Sequence, residues 1–154
     1  MARYRDPLTK DLFDWQPPPV AVGYSPDVAG RGRLDNRIAR LIAQALRDAR
    51  DAGVTRAEVA KRISDYLGRP VSEAMLSKWA SEAAEDHRIP LDAFVALIEA
   101  TGAKALLGWM PSMFGMAVIE AEYAELIEAQ LLKEHLAEIE ARISALDARR
   151  RARR

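Results

Sequence analysis

The sequence predicts an all-α protein: a compact five-helix domain followed by a long C-terminal amphipathic, coiled-coil helix. Three observations predict it. Apolar residues recur at helical spacing through much of the chain after Leu34. Capping and stop signals cut the first part into short segments. Farther on, Leu132, Leu136, Ile139, Ile143 and Leu146 alternate spacings of four and three, a heptad seam.

Residues 1–30 read as an extended, proline-rich arm, because "DWQPPPVAVGYSPDVAG" carries four prolines that remove backbone donors and favour polyproline geometry. Leu12, Phe13 and Trp15 stand among charges there, as in a docking peptide for a protein partner. The alternative is that they fold back on the domain.

The domain is expected over 31–110. Leu34, Ile38, Leu41, Ile42, Ala45, Leu46 and Ala49 give the first helix its apolar stripe, and Gly53 ends it. Thr55 with Glu58 makes a capping box for the second, whose buried stripe is Val59, Ala60, Ile63 and Leu67. Ser72 caps the third, in "VSEAMLSKWASE", with Met75, Leu76 and Trp79 inward and Glu73, Ala74, Ser77 and Lys78 outward. In the fourth, Leu91, Phe94, Val95 and Ile98 are expected inward and Gly102 is the stop. "KALLGW" is the fifth. Pro111 and Gly115 then make a joint before a final helix over 116–148 and a basic tail, 149–154.

Composition narrows the chemistry. There is no cysteine, which excludes disulfides, thiolate metal sites and cysteine nucleophiles and favours a reducing cytoplasm. The charged opening residues predict no signal peptide. The longest uncharged run, 105–119, is shorter than the roughly 20 residues a membrane span needs, so no membrane association is expected. His87 and His135 stand on separate elements without a ligand set, which predicts no metal site and no cofactor. Glu85 and Asp86 read as surface rather than an acid/base pair, and no nucleophile motif or phosphate loop appears; no enzyme is expected.

The net charge of zero conceals three regions. Residues 31–70 hold ten Arg/Lys against five Asp/Glu, residues 111–147 hold eight acids against two bases, and "ARRRARR" closes the chain. A basic segment can hold phosphate backbones, although a solvated helix face gives the same count. The arginine tail is open to three readings: phosphate contact, an acidic partner, or complement to a helix C-terminal dipole.

The run "TRAEVAKRI", a turn, and "VSEAMLSKWASE" resembles the helix-turn-helix of the Xre/Cro/CI repressor family. Ala60 matches the small residue at the helix crossing and Ile63 the apolar residue after it. Val71, Ser72, Leu76, Ser77, Lys78 and Trp79 match the recognition helix, and "HRIPLDAFVALIEATGA" is similar to the family's continuation. The resemblance covers about 34–108. It departs from the pattern at "SDYLGRP", between Ile63 and Val71, where members have a shorter connection; the second helix is expected to run a turn longer and the loop to be larger. That longer turn and "EATG" look like regulators carried by temperate and Mu-like bacteriophages.

The resemblance implies double-stranded DNA as partner, with base contacts from Glu73, Ala74, Ser77 and Lys78 and backbone contacts from Thr55, Arg56, Lys61, Arg62, Arg69 and Ser72. The seam at Leu132, Leu136, Ile139, Ile143 and Leu146 implies a homo-oligomer, a dimer or higher, unless the helix folds onto its own domain. The expected function is a cytoplasmic transcriptional regulator in a bacterial cell. The rival is an assembly protein that binds protein partners through the arm and the long helix without DNA.

Overall fold

The structure is a computed structural model that describes residues 20–84 and 86–153. Leu12, Phe13, Trp15 and Glu85 lie outside those residues. Among the described residues there are seven helices and one two-stranded sheet: β1 (Ala21–Val22), α1 (Pro26–Ala29), α2 (Leu34–Asp51), α3 (Arg56–Leu67), α4 (Glu73–Trp79), α5 (Leu91–Thr101), α6 (Ala105–Ser112), β2 (Val118–Ile119) and α7 (Ala121–Ala152). One compact unit spans Ala21–Ile119, and α7 belongs to a second. The first unit thus reaches past the expected 31–110 at both ends. No helix among the described residues is long and apolar enough to cross a membrane.

The expected extended arm is corrected at its C-terminal end. β1 pairs antiparallel with β2, Ala21 opposite Ile119 and Val22 opposite Val118. Ala29 is buried, and Tyr24 and Val28 pack against the core. Tyr24 also donates its hydroxyl to Asp48 on α2 at 2.7 Å. Burial and that hydrogen bond push the tyrosine pKa above its ordinary value. Nothing local announces β1: a two-residue strand depends on a partner nearly a hundred residues away in sequence.

The same pairing corrects the start of the final helix. Residues 118–119 are strand, and the helix begins at Ala121 instead of near 116. Gly115, at φ 70°, makes the turn before it. Pro111 lies inside α6 one residue before its end and marks the helix stop rather than the joint itself.

The core gathers Leu41, Ile42, Ala45 and Leu46 of α2, Val59, Ala60 and Ile63 of α3, Leu76 and Trp79 of α4, and Leu106 of α6. Three expected facings are wrong. Leu34, expected in the stripe of α2, is 53% exposed at the helix start. Met75 is 37% exposed, on the outer side of α4. On α5 the buried residues are Ala93, Ala96, Leu97 and Ala100, whereas Leu91 and Val95 are exposed and Phe94 and Ile98 only partly covered. Small side chains let α5 lie close to its neighbours, and the larger ones are left at the flanks.

Gly108 has a similar role on α6. A Cβ there would stand 1.8 Å from the carbonyl oxygen of Val22, so β1 can cross α6 only over a glycine. Gly108→Ala is expected to lower stability by about 1–3 kcal/mol, as overpacking does. Gly23→Ala, whose added Cβ would meet only Gly108 Cα at 3.8 Å, is expected to stay within about 0.5 kcal/mol of the parent. Chemical denaturation of both variants distinguishes a tight crossing from general sensitivity of the segment.

Candidate nucleic-acid interface

Two helices and the turn between them carry the residues singled out for DNA. α3 opens on Thr55, whose Oγ1 accepts the Glu58 amide at 3.2 Å. The Glu58 carboxylate, expected to complete the capping box, accepts instead from Arg62 Nε at 3.0 Å. α3 runs a full turn past Ile63 and stops at Gly68, which takes a left-handed conformation at φ 65° that a side chain would resist. The long connection therefore goes mostly into helix, and the turn is 68–72.

That turn is fastened at two places. Ser64 Oγ accepts the Val71 amide at 2.8 Å and donates to the Ala60 carbonyl at 2.7 Å, while the Val71 side chain is buried. Arg69 pairs with Asp92, in the first turn of α5, at 2.8 Å. Ser72 Oγ then caps α4 by accepting the Met75 amide at 3.2 Å. A seven-residue helix is too short to persist alone. Leu76 and Trp79 in the core and the two fastenings hold it in place.

The outward face of α4 presents Glu73, Ala74, Ser77 and Lys78, all exposed. Arg56, the first residue of α3, donates to Ser77 Oγ at 2.8 Å, and Ser77 Oγ donates to the Glu73 carbonyl at 2.9 Å. One expected backbone-contacting residue and one expected base-contacting residue thus meet directly. Lys78 Nζ donates to His87 Nε2 at 3.2 Å.

The expected backbone-contacting residues fall into two electrostatic classes. Arg62 pairs with Glu58 and also donates Nη1 to the Ala100 carbonyl on α5 at 3.2 Å. Arg69 is matched by Asp92. These two charges are compensated and the side chains brace the fold. Arg56 and Lys78, by contrast, rest on neutral acceptors, a hydroxyl and an imidazole nitrogen. Lys61 is exposed, with no partner among the described residues. The hydroxyl oxygens of Thr55 and Ser72 accept the capping amides.

Reading the sequence missed the acidic partners that sort these cations. Nothing in spacing links Asp92, in the first turn of α5, to Arg69, 23 residues earlier. Asp35, in the first turn of α2, takes Arg33 at 3.1 Å and also Arg88 from the segment after α4. Together with Leu34, Ile38, Ala39, Trp79, His87 and Ile89 these residues line a cleft of about 470 Å³. The cleft adjoins Lys78 through His87.

Comparison with family models, with characterised proteins and with solved structures finds no match to this chain.

The Arg69 hydrogen bond, with the Ala93 amide, holds the Asp92 carboxyl below its ordinary range. Desolvation pushes Asp35 up, but the Asn36 amide and the Arg33 and Arg88 guanidiniums outweigh it and hold that carboxyl low as well. A depressed folded-state pKa contributes stability that is whole above the unfolded-state value, about 4, and is lost as pH falls through the lower folded value. Asp92→Asn is therefore expected to lose less melting temperature than the parent between pH 5 and pH 2.5. Thermal melts across that range check it.

Proposed function

We propose that this chain is a sequence-specific DNA-binding transcriptional regulator, of the kind temperate phages carry, that acts as an oligomer. The observation that supports it best is the sorting of charge around α4. Arginines that face carboxylates brace the fold, whereas Arg56, Lys61 and Lys78 have no carboxylate partner among the described residues on the exposed side of α3 and α4. The succession of α3, the turn 68–72 and α4, with Leu76 and Trp79 buried, supports reading the pair as a helix-turn-helix.

In this reading α4 enters the major groove. Ser77 and Lys78 meet base edges, with Glu73 and Ala74 at the leading end. Arg56 and Lys61 meet phosphates, and Thr55 and Ser72, whose oxygens accept the capping amides, turn their O–H donors toward phosphate. Arg62 and Arg69 pass from the set of DNA contacts to the set of braces. Met75, exposed beside this face, adds an apolar contact of the kind that suits a thymine methyl group.

One observation favours the rival. The charge on this face is small, and the chain as a whole is neutral. An assembly protein would use the same fold with partners on its apolar surfaces.

The two readings separate in a salt-dependent shift assay with fragments of the native genomic neighbourhood. Lys78→Ala is expected to cost about 1–3 kcal/mol on a cognate fragment and to relax preference at one position. Lys61→Ala is expected to weaken cognate and random fragments alike and to reduce the salt slope by about one unit. Unchanged binding in both folded variants, or no binding by the parent, would hand the reading to the assembly protein.

A further inference from the structure

The seam on α7 is exposed throughout: Leu132 is 63% exposed, Leu136 55%, Ile139 42%, Ile143 53% and Leu146 57%. Assigning Leu132, Ile139 and Leu146 to heptad position d places Ala129, Leu136 and Ile143 at a. The seam has definite ends. The next d position toward the N-terminus is Glu125, and the next a position toward the C-terminus is Arg150. Ile127 and Leu131 fall outside it.

Charge along the helix is graded as well. Glu120, Glu122, Glu125 and Glu128 stand at its start with no base among them, and Arg149, Arg150, Arg151 and Arg153 stand at its end with no acid after Asp147. We infer that the occupant of this seam is α7 of a second copy, lying antiparallel and overlapping it along its whole length. This rests on the oligomer in the proposed function and names its geometry.

In that arrangement Leu136 stacks on Ile139 of the second copy, Leu132 on Ile143 and Ala129 on Leu146. The same register closes both ends of the seam with opposite charges, Glu125 against Arg150 of the second copy. On the flanks Glu128 approaches Arg149 and Lys133 approaches Glu140, each contact occurring twice by symmetry. His135 beside Arg142 brings no like charge while the imidazole is neutral. The arginine tail, otherwise without a role, becomes the complement of the acidic start of the partner helix.

A parallel pair satisfies Glu128 with Lys133 and Arg142 with Asp147, but it sets Glu125 on Glu125 and Arg150 on Arg150 inside the seam. It also lays the acidic starts side by side and the basic ends side by side. Like charges in a partly desolvated seam are costly, and the whole gradient adds to that cost. With 32 residues in α7, the two chains enter the antiparallel pair at points about 48 Å apart.

The absence of cysteine makes the orientation directly testable in the full-length protein. Ala129→Cys and Leu146→Cys are made as separate chains, mixed under mild oxidation and resolved without reductant. The expected result is a cross-linked heterodimer in the mixture and little cross-linking of either variant alone. Self-cross-linking of each variant, with none between them, would overturn the antiparallel pair. Light scattering of the parent separates this from failure of the oligomer itself: a monomer at high micromolar concentration removes both. Glu125→Arg is expected to raise the dissociation constant about tenfold, and adding Arg150→Glu in the same chain to restore it. No recovery in the double variant would count against the register.

Discussion

The close approach of α3 and α5 is the constraint on which the candidate interface depends. It is made possible by Ala60 on one side and by the buried Ala93, Ala96 and Ala100 on the other, where a larger residue would push the helices apart. Arg62 and the Ala100 carbonyl join the two helices directly, and Asp92 at the start of α5 receives Arg69 from the turn. α4 has too few residues to define its own position. Its direction is inherited from α3 through Ser64 and Val71, and from α5 through Arg69. A shift between α3 and α5 would therefore be passed on to the outward face of α4.

What was legible in the sequence was what local chemistry decides. The stripe of α2 from Leu41 to Ala49, the caps at Thr55 and Ser72 and the extra turn of α3 ending at Gly68 follow from spacing and side-chain type within a few residues. Facing on α5 was misread because size was taken as the guide to burial. At a close crossing the alanines go in and Leu91 and Val95 stay out. Met75 was misread on a helix of two turns, too short for periodicity to choose between adjacent positions. β1 was invisible because its partner is at the far end of the unit, and Gly108 reads in sequence as a poor helix former rather than as the floor of a crossing.

The candidate site was half legible for a related reason. Counting charges over 31–70 finds the cations but gives no means of telling which have carboxylates opposite them. Asp92, Glu58 and Asp35 come from other turns or other helices, and each removes arginines from the pool able to meet phosphate. The pairs are surface pairs and add little stability one by one. Their larger effect is selective: of the cations singled out for DNA, they leave the small group Arg56, Lys61 and Lys78 without a carboxylate partner among the described residues.

That small group bears on why a reader of this kind would need a second copy. Two cations meeting phosphate would release about two counterions, which would set a salt slope near −2 and only weak attraction for a single unit. Two linked units roughly double the slope, and the second binds at an effective concentration set by the linkage rather than by the solution. A neutral chain can reach useful affinity this way without the strongly basic surface that would hold it on any DNA. An antiparallel α7 pair serves that requirement differently from a parallel one. In the proposed antiparallel pair the two chains would enter about 48 Å apart, so the gain in affinity would depend on half-sites spaced to match rather than adjoining, and the spacing itself would become part of what is recognised.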